Sequence, residues 1–309
     1  MPLIQPPMLT HGGTHPARAM RMMIRDLARG SQGVTEAGDL KVRQLSTPGS
    51  AVRVGDGSSI IRGASWGQGA YTQYNVGDHI VPVAPTGASA RSDLLVHRVE
   101  DPEYEGNRDP AVDDVGYFHV IPNVGSTATA VPVGMTAIPL ARIDIPPNTA
   151  TITDAMIRDL RRIANPRRDR LLYTAFPGST QTLTYSDNKW RAWPSAARWT
   201  IPVPDWAVNV KAVTTFAGLR MDTADVYAAM QQVFGATPGQ DTYIDDDQGK
   251  NTRRVTVVLA DNLGVSAAMR GTNQVLHVQT YMSKFETGNL AVDGATSLIC
   301  DVEFNEGVI

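Results

Sequence analysis

Four of the five tryptophans fall between positions 190 and 206, as Trp190, Trp193, Trp199 and Trp206, and Arg191 and Arg198 lie among them. Indole faces stack on sugar rings, whose axial hydrogens are apolar, and a nearby guanidinium can donate to hydroxyls. Trp190, Trp193, Arg198, Trp199 and Trp206 therefore make a candidate glycan platform. The same residues also suit a different arrangement, with one or two indoles in a core and the others covering a domain seam or a subunit interface. Six arginines follow one another at 158, 161, 162, 167, 168 and 170. Such a run can grip phosphate. Asp154, Asp159 and Asp169 interleave with it, however, and the chain carries a formal net charge of -3. A salt-bridged face at a subunit contact, carrying Arg158, Arg161 and Arg162, fits better than a nucleic-acid site.

Other groups with chemical potential lead to no enzyme. Asp245, Asp246 and Asp247 precede Gln248-Gly249. Their spacing departs from an EF-hand loop, and an acidic hairpin turn accounts for them. His11 and His15 are separated by Gly12 and Gly13 and followed by Pro16, which excludes a helix presenting both to zinc. The single cysteine, Cys300, lies in the apolar run LICDVEF and reads as a buried thiol. There is no P-loop or dinucleotide fingerprint. Acid pairs such as Asp113-Asp114, or Glu103 with Glu105, lack an identifiable partner for glycosidase chemistry. No catalytic residue, metal ligand or cofactor is assigned.

The elements that must position these groups are mostly strands. The chain has 309 residues, 42% hydrophobic and 19% charged, enough for two domains with sizeable cores. Gly and Pro are frequent, at 27 and 20, and favour short strands and turns. No apolar run approaches the ~20 residues that span a bilayer, and the N-terminus lacks the features of a signal peptide. Residues 1 to 15 read as an extended arm. Pro16 to Arg29 reads as a helix with Ala17, Met20, Met23, Ile24, Leu27 and Ala28 on one side. That stripe either packs on its own domain or docks a neighbouring subunit through Met20, Met23, Ile24 and Leu27. From Asp39 the period becomes two, and strands follow through Tyr117 to Ile121. Ile138, Leu140, Ile143 and Ile145 suit a buried strand closed by Pro146-Pro147.

Next comes a predicted helix over 153–164, with Thr153 as N-cap, Ile152 as staple, and Met156, Ile157, Leu160, Ile163 and Ala164 on one face. Asn165-Pro166 ends it. Strand signals restart at Leu171 and run to Phe304, with Asp222 to Phe234 left open between a short helix and a strand. The expected fold is mainly β, with two antiparallel β-sandwich domains joined by a short helix and a basic linker. The expected divisions are an N-terminal arm and helix over 1–37, a β-rich anchoring domain over 38–170, and a jelly-roll-like sandwich over 171–309.

Several segments carry a family likeness: GDLKV at 38–42, PGSAVRVGDGSSIIRG at 48–63, the aromatic segment around Tyr71 to Asn75, RSDLLVHRVEDPEYEG at 91–106, and LARIDIPPNTATITDAMIRDLRR from Leu140. Together, over residues 14 to 170, they resemble minor tail proteins of the tail tip or baseplate of long-tailed phages, especially those of actinobacteria. The resemblance implies a non-enzymatic virion part, assembled in the host cytoplasm and contacting other tail and baseplate proteins as a homo-oligomer, most simply a trimer. Neither nucleic-acid binding nor membrane insertion is expected. The second domain then has a host cell-wall polysaccharide or another tail protein as its target. Two alternatives stand beside this: a cell-wall glycan hydrolase or depolymerase of the tail, and a free-standing lectin unrelated to virions.

Overall fold

The computed structural model describes residues 16–184 and 188–309. The chain is mainly β and forms two compact units. The first runs to Pro166 and includes Val308–Ile309, and the second is Arg167–Gly307. The chain thus changes unit at Pro166, a few residues before the expected position, and its last two residues return to the first unit.

Three small antiparallel sheets build the first unit. One orders Gly33–Val34, Gly57–Arg62 and Ala70–Asn75. A second orders Val42–Gly49, Ala51–Val54 and His79–Pro82. The third orders Ile157–Asp159, Ala137–Ile145, Arg91–Val99 and Gly116–Val124. Alternating apolar positions meet in one core, including Leu40, Val52, Ile61, Leu95, Leu140 and Ile143. The helix Ala17–Leu27 forms as expected and buries Ala19. It is held by Arg21, whose Nε donates to the Gln68 carbonyl at 2.9 Å and whose guanidinium lies 3.2 Å from Asp101. It therefore belongs to the first unit, not to a separate arm.

The helix expected over 153–164 does not form. Thr153 is extended and makes no capping bond. A single 3-10 turn, Asp154–Met156, leads into the strand Ile157–Asp159, which pairs with Ala141 to Ile143. The backbone hydrogen bonds a helix would keep internal go to neighbours instead. Leu160 N–H donates to Leu140, Val34 N–H to Arg162, and Ala164 N–H to Val34. Gly33, at φ +146°, permits this approach, since a Cβ there would lie 2.0 Å from the Arg162 carbonyl oxygen. Apolar spacing compatible with a helix was overridden by main-chain pairing on both sides.

The second unit is two six-stranded antiparallel sheets around one apolar core. The first sheet contains Arg168–Ala175, Ser297–Glu306, Ala207–Asp222, Asn289–Val292, Gln181–Leu183 and Arg253–Gly264. The second contains Arg191–Ala192, Arg198–Pro202, Asn273–Met282, Val226–Phe234, Thr237–Pro238 and Thr242–Asp246. Residues 226–234 are thus strand, which resolves the open choice there. In Ser297–Glu306, Leu298, Cys300, Val302 and Phe304 point inward, with polar residues between them. Phe304 of one sheet meets Phe234 of the other, ring centroids 6.3 Å apart. Burial pushes the Cys300 thiol up to about 12, so it is an inert part of this core. Among the described residues no helix is long and apolar enough to cross a membrane.

Candidate ligand-binding face

The second sheet of the second unit decides where the tryptophans go. Side chains alternate along a strand, and residues directly opposite in an antiparallel pair share a face. Trp199 is opposite Leu276, and Trp193 N–H bonds Val278 O, so both indoles join the interior. Trp199 is 7% and Trp193 8% exposed, and their ring nitrogens are buried with no hydrogen-bond partner among the described residues. Trp206 packs half-buried against the same core, with the Arg167 guanidinium 5.5 Å from its ring centroid. Arg167 also donates to Glu306 at 3.0 Å. Trp190 alone of the four lies open, at 36%. The four-indole platform expected from the sequence is therefore not assembled. Arg198 keeps its place beside Trp199 in the chain but faces outward.

What the sheet does assemble on its outward face is a different set of side chains. Tyr243 is opposite Ala229, and Ala229 is opposite Tyr281. Trp190 completes this row, its ring centroid 6.0 Å from that of Tyr281. Two residues along, Gln231 is opposite Gln279, and Gln279 is opposite Ala192. Two further along, Val233 is opposite His277, and His277 is opposite Arg198. On the other side of the aromatic row, Tyr227 is opposite Asp245, and its ring is 6.1 Å from that of Tyr243. Ala229, Gln231 and Val233 are buried between these larger groups, whereas Tyr243 is 61% exposed.

Polar groups on this face form a chain of their own. Gln231 Nε2 donates to Gln279 Oε1 at 3.3 Å, and Gln279 Nε2 is 3.4 Å from His277 Nε2. The Tyr281 hydroxyl donates to Asn188 Oδ1 at 3.0 Å. Burial lowers the His277 pKa and the nearby Arg198 adds to this, which keeps the imidazole neutral near pH 7. Its Nδ1 is buried and has no partner among the described residues. The face thus offers ring faces, amides and a neutral imidazole, with Arg198 and Asp245 at its margins. The ion pairs described in the second unit gather elsewhere. They are Arg167–Glu306, Arg170–Asp301, Arg220–Asp222, Arg220–Asp293 and Arg254–Asp293 on the first sheet, and Arg253–Asp246 at a turn.

The expected basic face is dispersed. The Arg161 side chain is fully buried and donates to the carbonyls of Asp39 at 2.6 Å and Ile309 at 3.0 Å, with Asp159 at 2.7 Å. Arg158 is exposed, 3.7 Å from Asp144, and Arg162 is exposed too. Without a helix, these three share no face. In the N-terminal helix Met20, Met23 and Ile24 are half-buried, and Leu27 is 74% exposed. Among the described residues no cluster of His, Cys, Asp or Glu could hold a metal ion. His11 and His15 lie outside the described residues.

No protein-family model matches the chain, and no curated protein does. Solved structures of infectious bursal disease virus resemble it weakly. The Gx strain structure is 11% identical with a TM-score of 0.26, covering 90% of this chain and 80% of that one. The VP2 subviral particle has the same identity and TM-score over 90% and 79%. The T=1 particle structure reaches a TM-score of 0.27 at 11% identity, over 90% and 76%. Similarity at this level carries no argument about this chain.

Proposed function

We propose that this chain is a non-enzymatic structural part of a phage tail tip or baseplate. The first unit anchors it among other tail proteins, and the second faces outward as an adhesin or adaptor. The observation that carries this is where the tail-protein-like segments fall. The 38–42 segment supplies core residues Leu40 and Val42, the 48–63 segment supplies Ala51–Val54 and Gly57–Arg62, and the 91–106 segment supplies the central strand Arg91–Val99. The likeness therefore lies in residues that build one folded unit and leaves the second unit free to differ. Gold-labelled antibody against residues 167–307 should mark the tail tip of purified particles. Label on the capsid, or absence of the chain from particles, overturns the proposal.

Self-association belongs to the same proposal. Leu27, with Met20, Met23 and Ile24 beside it, supplies an apolar contact between copies in a homotrimer. Light scattering should give three times the chain mass of 33.3 kDa. A monomer mass at micromolar concentration removes the trimer from the proposal.

A further inference from the structure

We infer that the outward face carrying Tyr243, Tyr281, Trp190, Gln231 and Gln279 binds an uncharged polysaccharide, with the sugar chain lying along the aromatic row. The inference rests on the second unit being an outward interaction module and specifies its ligand.

Three observations carry it. The first is alignment. Tyr243 and Tyr281 flank the same small residue, Ala229, from strands on either side of it, and Trp190 continues past Tyr281. Two strand spacings separate the tyrosine backbones by ~10 Å, a span comparable to a disaccharide repeat. Tyr and Trp rings spaced along paired strands can stack on successive sugars at a low entropy cost, because each has only two χ angles to fix. The second is the adjacent amide row. Gln231 and Gln279 each have donors and acceptors beyond their mutual 3.3 Å bond, and an amide can meet a hydroxyl in either role.

The third is charge. Among the described residues the ion pairs of the second unit lie on its other sheet and between Asp246 and Arg253, and burial favours the neutral form of His277. A phosphate-rich polymer would need several cations in an electrostatic groove; among the described residues Arg198 stands at one margin, opposite His277, and Lys189 and Lys284 lie only at the Trp190 end. Hydroxyl-rich, uncharged chains match it better. Binding at one face is weak, and several copies on one particle would multiply the avidity.

The test is affinity electrophoresis of the full chain through gels containing neutral hexose or pentose polymers, with a polyphosphodiester as the charged comparison. At least one neutral polymer should retard the protein. Tyr243→Ala, Tyr281→Ala and Trp190→Ala should each weaken retardation about tenfold, while Trp206→Ala, which lies off the face, should not. Unfolding curves of the four variants establish that each is folded, and Tyr281→Phe should retain binding if stacking dominates. Retardation by no neutral polymer, retardation by the polyphosphodiester alone, or equal retardation of wild type and face variants overturns the inference. Release of reducing sugar would replace binding with hydrolysis. A chain found at the tail tip that fails these tests overturns this inference alone. Neutral-polymer binding by a chain absent from particles overturns the tail proposal alone.

Discussion

The two units solve the same problem, satisfying a β main chain, in different ways. The second has long continuous strands. Ala207–Asp222 pairs along both edges, and one apolar core fills the space between two sheets. The first has three small sheets, so many main-chain groups end inside the unit and need side-chain partners. Arg161 caps the carbonyls of Asp39 and Ile309. Buried Gln68 donates to the Tyr71 hydroxyl and Thr136 Oγ1 at 3.1 Å each. Asp93 accepts from Arg91 at 2.8 Å and from the Asn123 N–H at 3.0 Å. Polar side chains in the first unit are committed to holding the fold. In the second, long strands pair along their length, and side-chain bonds to the main chain, such as Gln232 Nε2 to the Ala212 carbonyl at 2.9 Å, supplement that pairing.

The largest expected effect tests the apolar side of this contrast. Phe304→Ala removes a ring from the seam between two sheets and should cost about 3 to 5 kcal/mol. Hydrogen exchange should accelerate in peptides from 207–222 and 226–234. If peptides from the first unit accelerate equally, the two units unfold as one and the contrast breaks. Arg161→Met tests the polar side. It leaves buried carbonyls and Asp159 without their guanidinium partner and should cost about 3 kcal/mol. Faster exchange should appear around residues 37–41, 137–145 and 157–164, and a wild-type exchange pattern would remove Arg161 from the account.

The smallest effect is set by pH. His97 is buried, stacked on Phe118 at 4.6 Å, with Nδ1 3.0 Å from Ser59 Oγ. Burial, with His79 adding to it, lowers its pKa from 6.5 to about 4. Between those values the unfolded chain binds the proton that the folded one refuses. Stability is therefore full above pH 6.5 and falls as pH drops, by about 2 kcal/mol at pH 5. Exchange in Arg91–Val99 should follow that slope, and His97→Gln should flatten it. An unchanged slope in the variant assigns the pH response to other groups.

Most strands were legible because their apolar residues alternate, as in Ser297–Glu306. Residues 153–164 misled because Met156, Ile157, Leu160 and Ile163 fit helical spacing, while the deciding partners, Val34 and Leu140, are far away in the chain. The tryptophans misled for another reason. Crowding in sequence ignores parity: Trp199 shares its face with buried Ile201, and Arg198 takes the opposite one. The amide and aromatic row was present in HVQTYM, where His277, Gln279 and Tyr281 alternate with Val278, Thr280 and Met282. Its partners Gln231 and Tyr243 could be joined to it only by knowing which strands pair.

The return of Val308–Ile309 to the first unit has a consequence for how such a chain can change over generations. Ile309 N–H bonds the Ala37 carbonyl, and Val308 packs on the first core, so residues 167–307 are an insertion within the first unit. The entrance and exit of that insertion are neighbours, because Arg168 pairs with Asn305 on adjacent strands, ~5 Å apart. A cassette whose ends meet on two neighbouring strands can be exchanged by recombination without stretching its host. A replacement for residues 167–307 therefore has one geometric condition to meet at its ends, two adjacent antiparallel strand positions like those of Arg168 and Asn305.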